Sequence, residues 1–162
     1  MSECPLIVVA FGGGVNSTAM LVEMHRRGIL PALTLFADTG GERPETYRAV
    51  WLVSEWCKLK GMPPILTVSN PGPTLEADCL TRNALPSIAY GFKSCSDRWK
   101  QRPQNNYIKN IWKLKPYTKA IGFDAGESVR MRDSDDPDCK NWCPLIEWKL
   151  YREECEEICK SE

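Results

Sequence analysis

Apolar residues along this chain fall into short solid runs that alternate with longer segments where they recur every third or fourth position. Residues 6–11, LIVVAF, form an unbroken apolar run rich in β-branched side chains. That is the pattern of a strand buried on both faces. Residues 17–27 place Ala19, Met20, Val22 and Met24 at roughly helical spacing, with Gly28 as a stop. Residues 30–36 predict a second strand, running into ADTGGERPE. Pro44 suits a first helical turn, and residues 45–60 carry Val50, Val53, Trp56 and Cys57 before Gly61. A third strand is predicted at 65–68, followed by the turn NPGPT. Residues 75–80 predict a short helix, 105–115 a longer one, 118–123 a fourth strand and 151–160 a final helix. The charged stretch 130–141 reads as a loop.

Strands alternating with helices predict an α/β fold with three layers, helices covering both faces of a central, mostly parallel sheet. The 162 residues form one domain, 1–162, large enough to bury about two-thirds of its unfolded surface. In such sheets ligands bind outside the carboxyl ends of the strands. GGGVNS and ADTGGE both leave such ends. Glycines there give main-chain amides an unobstructed approach to an anion, backed by the positive end of the next helix. Asn16 or Ser17 would cap that helix, and the Ser17 and Thr18 hydroxyls could also reach phosphate. The spacing fits neither GxxxxGK[ST] nor GxGxxG, and a tight turn with no ligand is the plain alternative.

Charge is balanced, 21 basic against 21 acidic residues, so a purely electrostatic nucleic-acid or membrane binder is not indicated. No run approaches the roughly 20 apolar residues that span a bilayer. The opening MSECPLIVVAFGGG lacks the marks of a signal peptide, which predicts a cytoplasmic protein. Eight cysteines without a signal peptide read as reduced thiols, metal or redox chemistry. Lys93, Arg98, Lys100 and Arg102 lie within ten residues around Cys95. Such a cluster suits an anionic substrate, and a thiolate beside basic groups is a better nucleophile and metal ligand. A solvated basic face is the plain alternative. Trp99 is either a core or a stacking residue. Cys155, Ile158 and Cys159 form an apolar stripe on the last helix, whereas Cys139 and Cys143 flank a turn and could bind metal. His25, the single histidine, reads as a surface residue, which excludes a histidine-based triad elsewhere.

Five segments in register resemble a known family. GGGVNS is similar to the SGGxDS pyrophosphate loop of the adenine-nucleotide alpha-hydrolase superfamily. FADTGGERPETY resembles the LDTG…PETY segment of phosphoadenosine phosphosulfate (PAPS) reductases, and KSCSDRWKQRP their Cys-containing basic segment. GFDAGESVR and CPLIEW resemble their G-x-x-x-x-E-S-x-R and PL-x-W elements. The similarity runs from about Leu6 to Cys159 and points to the PAPS reductase-like type found in phages and prophages. It implies an adenine-nucleotide alpha-hydrolase-like fold and an enzyme acting on ATP or PAPS at the phosphate or phosphosulfate. The implied nucleotide-binding set is Phe11, Gly12, Gly13, Gly14, Asn16, Ser17, Thr18, Asp38, Thr39, Gly40, Gly122, Glu127 and Arg130. The implied catalytic set is Cys95, Lys93, Arg98 and Lys100. Asp38 would accept from a ribose hydroxyl or hold Mg²⁺ through one oxygen, or else cap its own turn. Cys95 is the one cysteine implied as a metal or iron–sulfur ligand. The partner implied is a small adenine nucleotide; a nucleic-acid sulfur acceptor is not indicated, and oligomer formation is left open.

The chain also departs from that pattern. Asn16 stands where the loop usually carries an acid, and Gly12 where it carries its first Ser. The sequence stops after YREECEEICKSE, where relatives continue into a Cys-bearing segment, so the C-terminal region is expected to be truncated, or the reduction chemistry absent or supplied elsewhere. Two alternatives stand beside the enzyme reading: a nucleotide-binding module without turnover, and a cysteine-rich iron–sulfur or zinc protein.

Overall fold

The structure is a computed structural model that describes residues 6–84, 97–113 and 116–162, and the backbone alone of 88–89 and 92–93. Five strands form one sheet in the order β3-β2-β1-β6-β7. They are β1 (Leu6–Phe11), β2 (Leu33–Asp38), β3 (Ile65–Ser69), β6 (Tyr117–Ile121) and β7 (Cys139–Trp142). Every pairing between them is parallel. The β4 (Ile88–Ala89) and β5 (Phe92–Lys93) pair forms a separate small hairpin. This confirms the layered α/β class.

The central position of β1 explains its solid apolar run. It is flanked by β2 and β6, and Val8 and Val9, which face opposite sides, are both fully buried. On one face Val9, Phe11, Phe36 and Ala120 pack against α1 (Val15–Arg26), α2 (Pro44–Leu59) and the C-terminal helix, here α6 (Arg152–Lys160). On the other, Val8, Leu35, Val68 and Tyr117 pack against Ile108 of α4 (Arg102–Trp112). Between β3 and α4 lie α3 (Leu75–Arg82) and a π-helical turn, Asp97–Gln101. A 3-10 turn, Ala125–Arg130, and the short α5 (Pro144–Glu147) complete the chain.

Four expectations need correction. The second strand begins and ends later than predicted, reaching Asp38, because Leu30 and Pro31 still belong to the connection. Helix α1 starts at Val15 with Gly14 as its cap and no side-chain cap bond, so Asn16 and Ser17 sit inside the first turn. The helix predicted at 105–115 starts at Arg102, with Pro103 in its first turn, and ends at Trp112. Residues 139–141, read as loop, belong to the edge strand β7, which runs on to Trp142. An edge strand is paired on one side only, so Lys140 and Asn141 can face water and no apolar run betrays it.

Strand order reverses at β1: β2 and β3 follow on one side, β6 and β7 on the other. A crevice therefore opens where the connections from β1 and β6 leave in opposite directions.

Candidate functional site

The crevice is built from GGGVNS at the end of β1 and GFDAGES at the end of β6. Gly13 has φ +75°, a conformation that costs a side chain, and a Cβ there would lie 2.7 Å from Thr46 Cγ2. Gly122 has no room for a Cβ either: it would lie 3.0 Å from Ser17 Cα and 3.1 Å from Ser17 N. The β6 connection thus touches the main chain of the first turn of α1. Gly14, by contrast, is extended and faces open space.

Helix starts leave their first amides without helical acceptors. Here the first helical bond runs from the Thr18 amide to the Gly14 carbonyl at 3.1 Å. Among the described residues, nothing accepts from the amides of Gly13, Gly14, Val15, Asn16 or Ser17. The Ser17 and Thr18 hydroxyls both donate to the Gly14 carbonyl at 3.0 Å, which stiffens the loop but turns them away from a ligand. Phe11 is buried in the core beneath the loop.

Asn16 joins three elements. Its amide nitrogen donates to Asp124 Oδ2 at 2.8 Å and to Glu127 Oε2 at 3.2 Å, and its carbonyl oxygen accepts from Arg152 at 3.1 Å. Asp124, buried, also accepts from the Gly126 amide, and Glu127 from the Asp124 amide, a reciprocal cap on the 3-10 turn. Glu127 pairs with Arg130, whose guanidinium lies 4.3 Å from the centre of the Phe123 ring. Gly122 and Glu127 thus touch residues 16–17, and Arg130 reaches them only through Glu127. Asp124 and Arg152 were not among the expected residues. The D-x-x-E spacing of a capping box was a readable signal for Asp124. Arg152 had none, since its contact spans 136 positions.

A second recess, about 280 Å³, lies at the carboxyl ends of β2 and β3. Asp38, Thr39 and Gly40 form one wall, Ser69 and Asn70 another, with Thr74 and Trp99 closing it. Gly40, φ +72°, leaves only 2.4 Å between a hypothetical Cβ and Thr74 Cγ2. Asp38 Oδ1 takes both the Gly40 amide, at 2.8 Å, and the Tyr47 hydroxyl, at 2.7 Å. That bond to Asp38 is the main reason the Tyr47 phenol is held above its ordinary pKa. Asp38 Oδ2 has no partner among the described residues. The carboxylate therefore caps its own turn with one oxygen, and Asp38 also lines the recess. Thr39, buried, donates to Glu42 at 3.1 Å.

The basic segment clamps onto this wall. Lys100 Nζ pairs with Glu42 at 3.0 Å, Arg98 with Asp78 at 3.4 Å, and Arg102 with Asp97 at 2.8 Å. Trp99 is at once core and lining: its indole donates to the Pro73 carbonyl at 3.1 Å, and Arg98 covers its ring at 4.5 Å. Cys95 and the side chain of Lys93 lie outside the described residues.

With this geometry in hand, comparison with known proteins narrows the reading. No family model matches the chain. An uncharacterized nin region protein of Escherichia phage lambda, ORF290, is 30% identical over 147 residues, covering 77% of this chain and 50% of that protein. The chain thus spans about half the length of that relative. The crystal structure of phosphoadenylyl-sulfate (PAPS) reductase from Candida auris, a phosphate complex, matches with a TM-score of 0.62. That match has 16% identity and covers 99% of this chain and 73% of the other. The fold is PAPS reductase-like.

Within this PAPS reductase-like fold the last helix bears out its apolar stripe. Cys155 is fully buried, and Ile158 and Cys159 pack beside it against α1. Burial pushes the thiols of Cys57 and Cys155 up to about 11, so neither is a nucleophile at neutral pH. Cys139 lies on β7 and Cys143 opens α5. Among the described residues, no three His, Cys, Asp or Glu side chains are placed to share one metal ion. None of the described helices is long and apolar enough to cross a membrane. His25 is half-buried, edge-on to Trp56 at 5.6 Å, and belongs to neither recess.

Proposed function

We propose that the chain binds an adenine nucleotide across the carboxyl edge of its sheet and acts on it as a PAPS reductase-like enzyme. The phosphates lie on the amides of Gly13–Ser17, and the nucleoside occupies the recess beside Asp38, Thr74 and Trp99. The observation that carries this is the row of unpaired amides at the point where the sheet reverses, held open by Gly13 and Gly122. The recess, about 280 Å³, is near the roughly 300 Å³ at which small-molecule sites begin, enough for a nucleoside but not for its phosphates as well. Asp38 Oδ2 is the acceptor for a ribose hydroxyl, or the single protein oxygen offered to Mg²⁺. Such an ion would neutralise charge on the phosphates. The substrate is ATP or PAPS, and the reaction is displacement at the α-phosphate or transfer of sulfur. The displacement rests on positioning and charge stabilisation more than on a protein nucleophile. The reductase of the same fold is a phosphate complex, so that protein binds an anion.

Gly14→Asp tests the loop. Its backbone is extended and its surroundings empty, so an aspartate fits and is itself a good helix cap. It would fill the free amides with its own carboxylate. The variant should melt no lower than the native protein and lose ATP or PAPS binding in calorimetry. Undiminished binding would remove the loop from the site.

One observation favours binding without turnover. The residue at position 16 is a neutral amide whose oxygen and nitrogen are both committed to protein partners. Incubation with ATP and Mg²⁺, followed by assay for AMP and pyrophosphate, separates the two readings.

A further inference from the structure

The most unusual charge at the crevice belongs to Arg152. It is the first residue of α6, where the helix end is already positive and a cation is disfavoured. Its guanidinium reaches across to the first turn of a second helix, α1, and donates to Asn16 Oδ1 at 3.1 Å. Two helix starts therefore share one cation. The apolar packing of α6 on α1 runs through Cys155, Ile158 and Cys159, and Arg152, about half exposed, is not part of it. The Cys159 thiol donates to the Val15 carbonyl at 3.5 Å.

The hydrogen-bond inventory points the same way. Arg152 Nε donates to Glu156 at 3.1 Å and one Nη1 proton goes to Asn16. Of five donors, the remaining three have no partner among the described residues. The neighbouring carboxylates, by contrast, have both oxygens engaged. Asp124 serves the Gly126 amide and Asn16; Glu127 serves Asn16, the Asp124 amide and Arg130. What the crevice leaves unspent is positive: five amides and one guanidinium. An acid at position 16 would face Asp124 and Glu127 at contact distance and repel them; the amide lets Arg152 and the carboxylates share one anchor.

We infer that Arg152 is a phosphate-contacting residue, held beside the glycine loop by Asn16 and supplied by the C-terminal helix. The inference rests on the nucleotide reading above and adds to it the group that counters charge on the phosphates, so that the number of phosphates on the ligand sets the strength of binding.

The test compares ATP with adenosine by calorimetry in the native protein, Arg152→Gln and Arg152→Lys. A lost charge-assisted contact predicts at least about a tenfold weaker ATP affinity for Arg152→Gln, adenosine affinity unchanged, and an intermediate value for Arg152→Lys. Melting temperatures check that each variant is folded. ATP affinity within twofold of native overturns the inference, as does an equal loss for adenosine, which would make Arg152 purely structural. Native protein that binds neither ligand removes the nucleotide reading, and this inference with it.

Discussion

Two neighbouring glycines do opposite jobs. Gly13 carries a positive φ and has Thr46 at its back, so Gly13→Ala should cost about 1–3 kcal/mol. Gly14 is extended and unhindered, so Gly14→Ala should cost less, about 0.5 kcal/mol, the loss from a poorer helix cap alone. Urea melts of both variants check this; equal costs would mean that the loop is not held as described. A triplet of glycines was readable in the sequence as a main-chain approach to something. Which glycine is obligatory was not, because the decision lies with Thr46 and with the Ser17 backbone against Gly122. The same holds for Asp38. The turn-cap reading is met by one oxygen, Oδ1, and the other has no partner among the described residues.

At the scale of elements, α6 is held by burial rather than by charge. Cys155 is fully buried against α1, so Cys155→Ser should cost about 1–3 kcal/mol by burying a hydroxyl without a built partner. Because burial raises the Cys57 and Cys155 thiols to about 11, both should resist a thiol reagent at pH 8 until the chain is unfolded. Mass spectrometry after timed labelling locates the modified residues; rapid native labelling of either would contradict this packing. The stripe on α6 was legible from its spacing, as were α2 with Pro44 in its first turn and the short α3. Strand β7 was not. Its partner is β6 alone, and its Lys140 and Asn141 carry no hydrophobic signature. The ion pairs of Arg98 and Lys100 escaped as well. A basic run looks like an anion site until its acids, Asp78 and Glu42, arrive from other elements.

For the molecule as a whole, the sheet buries one amine. Lys119 points into the face covered by α4, donates to Asn105 at 2.9 Å, and is lowered by burial from 10.5 to about 8. Between those pH values the unfolded chain holds a proton that the folded chain lacks. Stability from this group therefore rises with pH across the window and is lowest below about pH 8. Lys119→Met abolishes that dependence. Its stability relative to native should fall by on the order of 2–3 kcal/mol between pH 7 and 10.5, since comparing the two chains cancels the shared thiols. Parallel profiles would return the amine to solvent. The alternation of strands and helices made the layered class legible. The side of β1 on which the fourth long strand lands was not, because the returning segment, residues 70–116, has no single pattern.

The span of 136 positions between Asn16 and Arg152 also has a meaning in time. A ribosome adds about 5–20 residues per second, so the loop is made on the order of ten seconds before the arginine that completes its surroundings. A nascent chain would offer its bare amides early, while the guanidinium arrives only when the last turns dock. Under the nucleotide reading, tight capture of ligand would then require α6 to have docked.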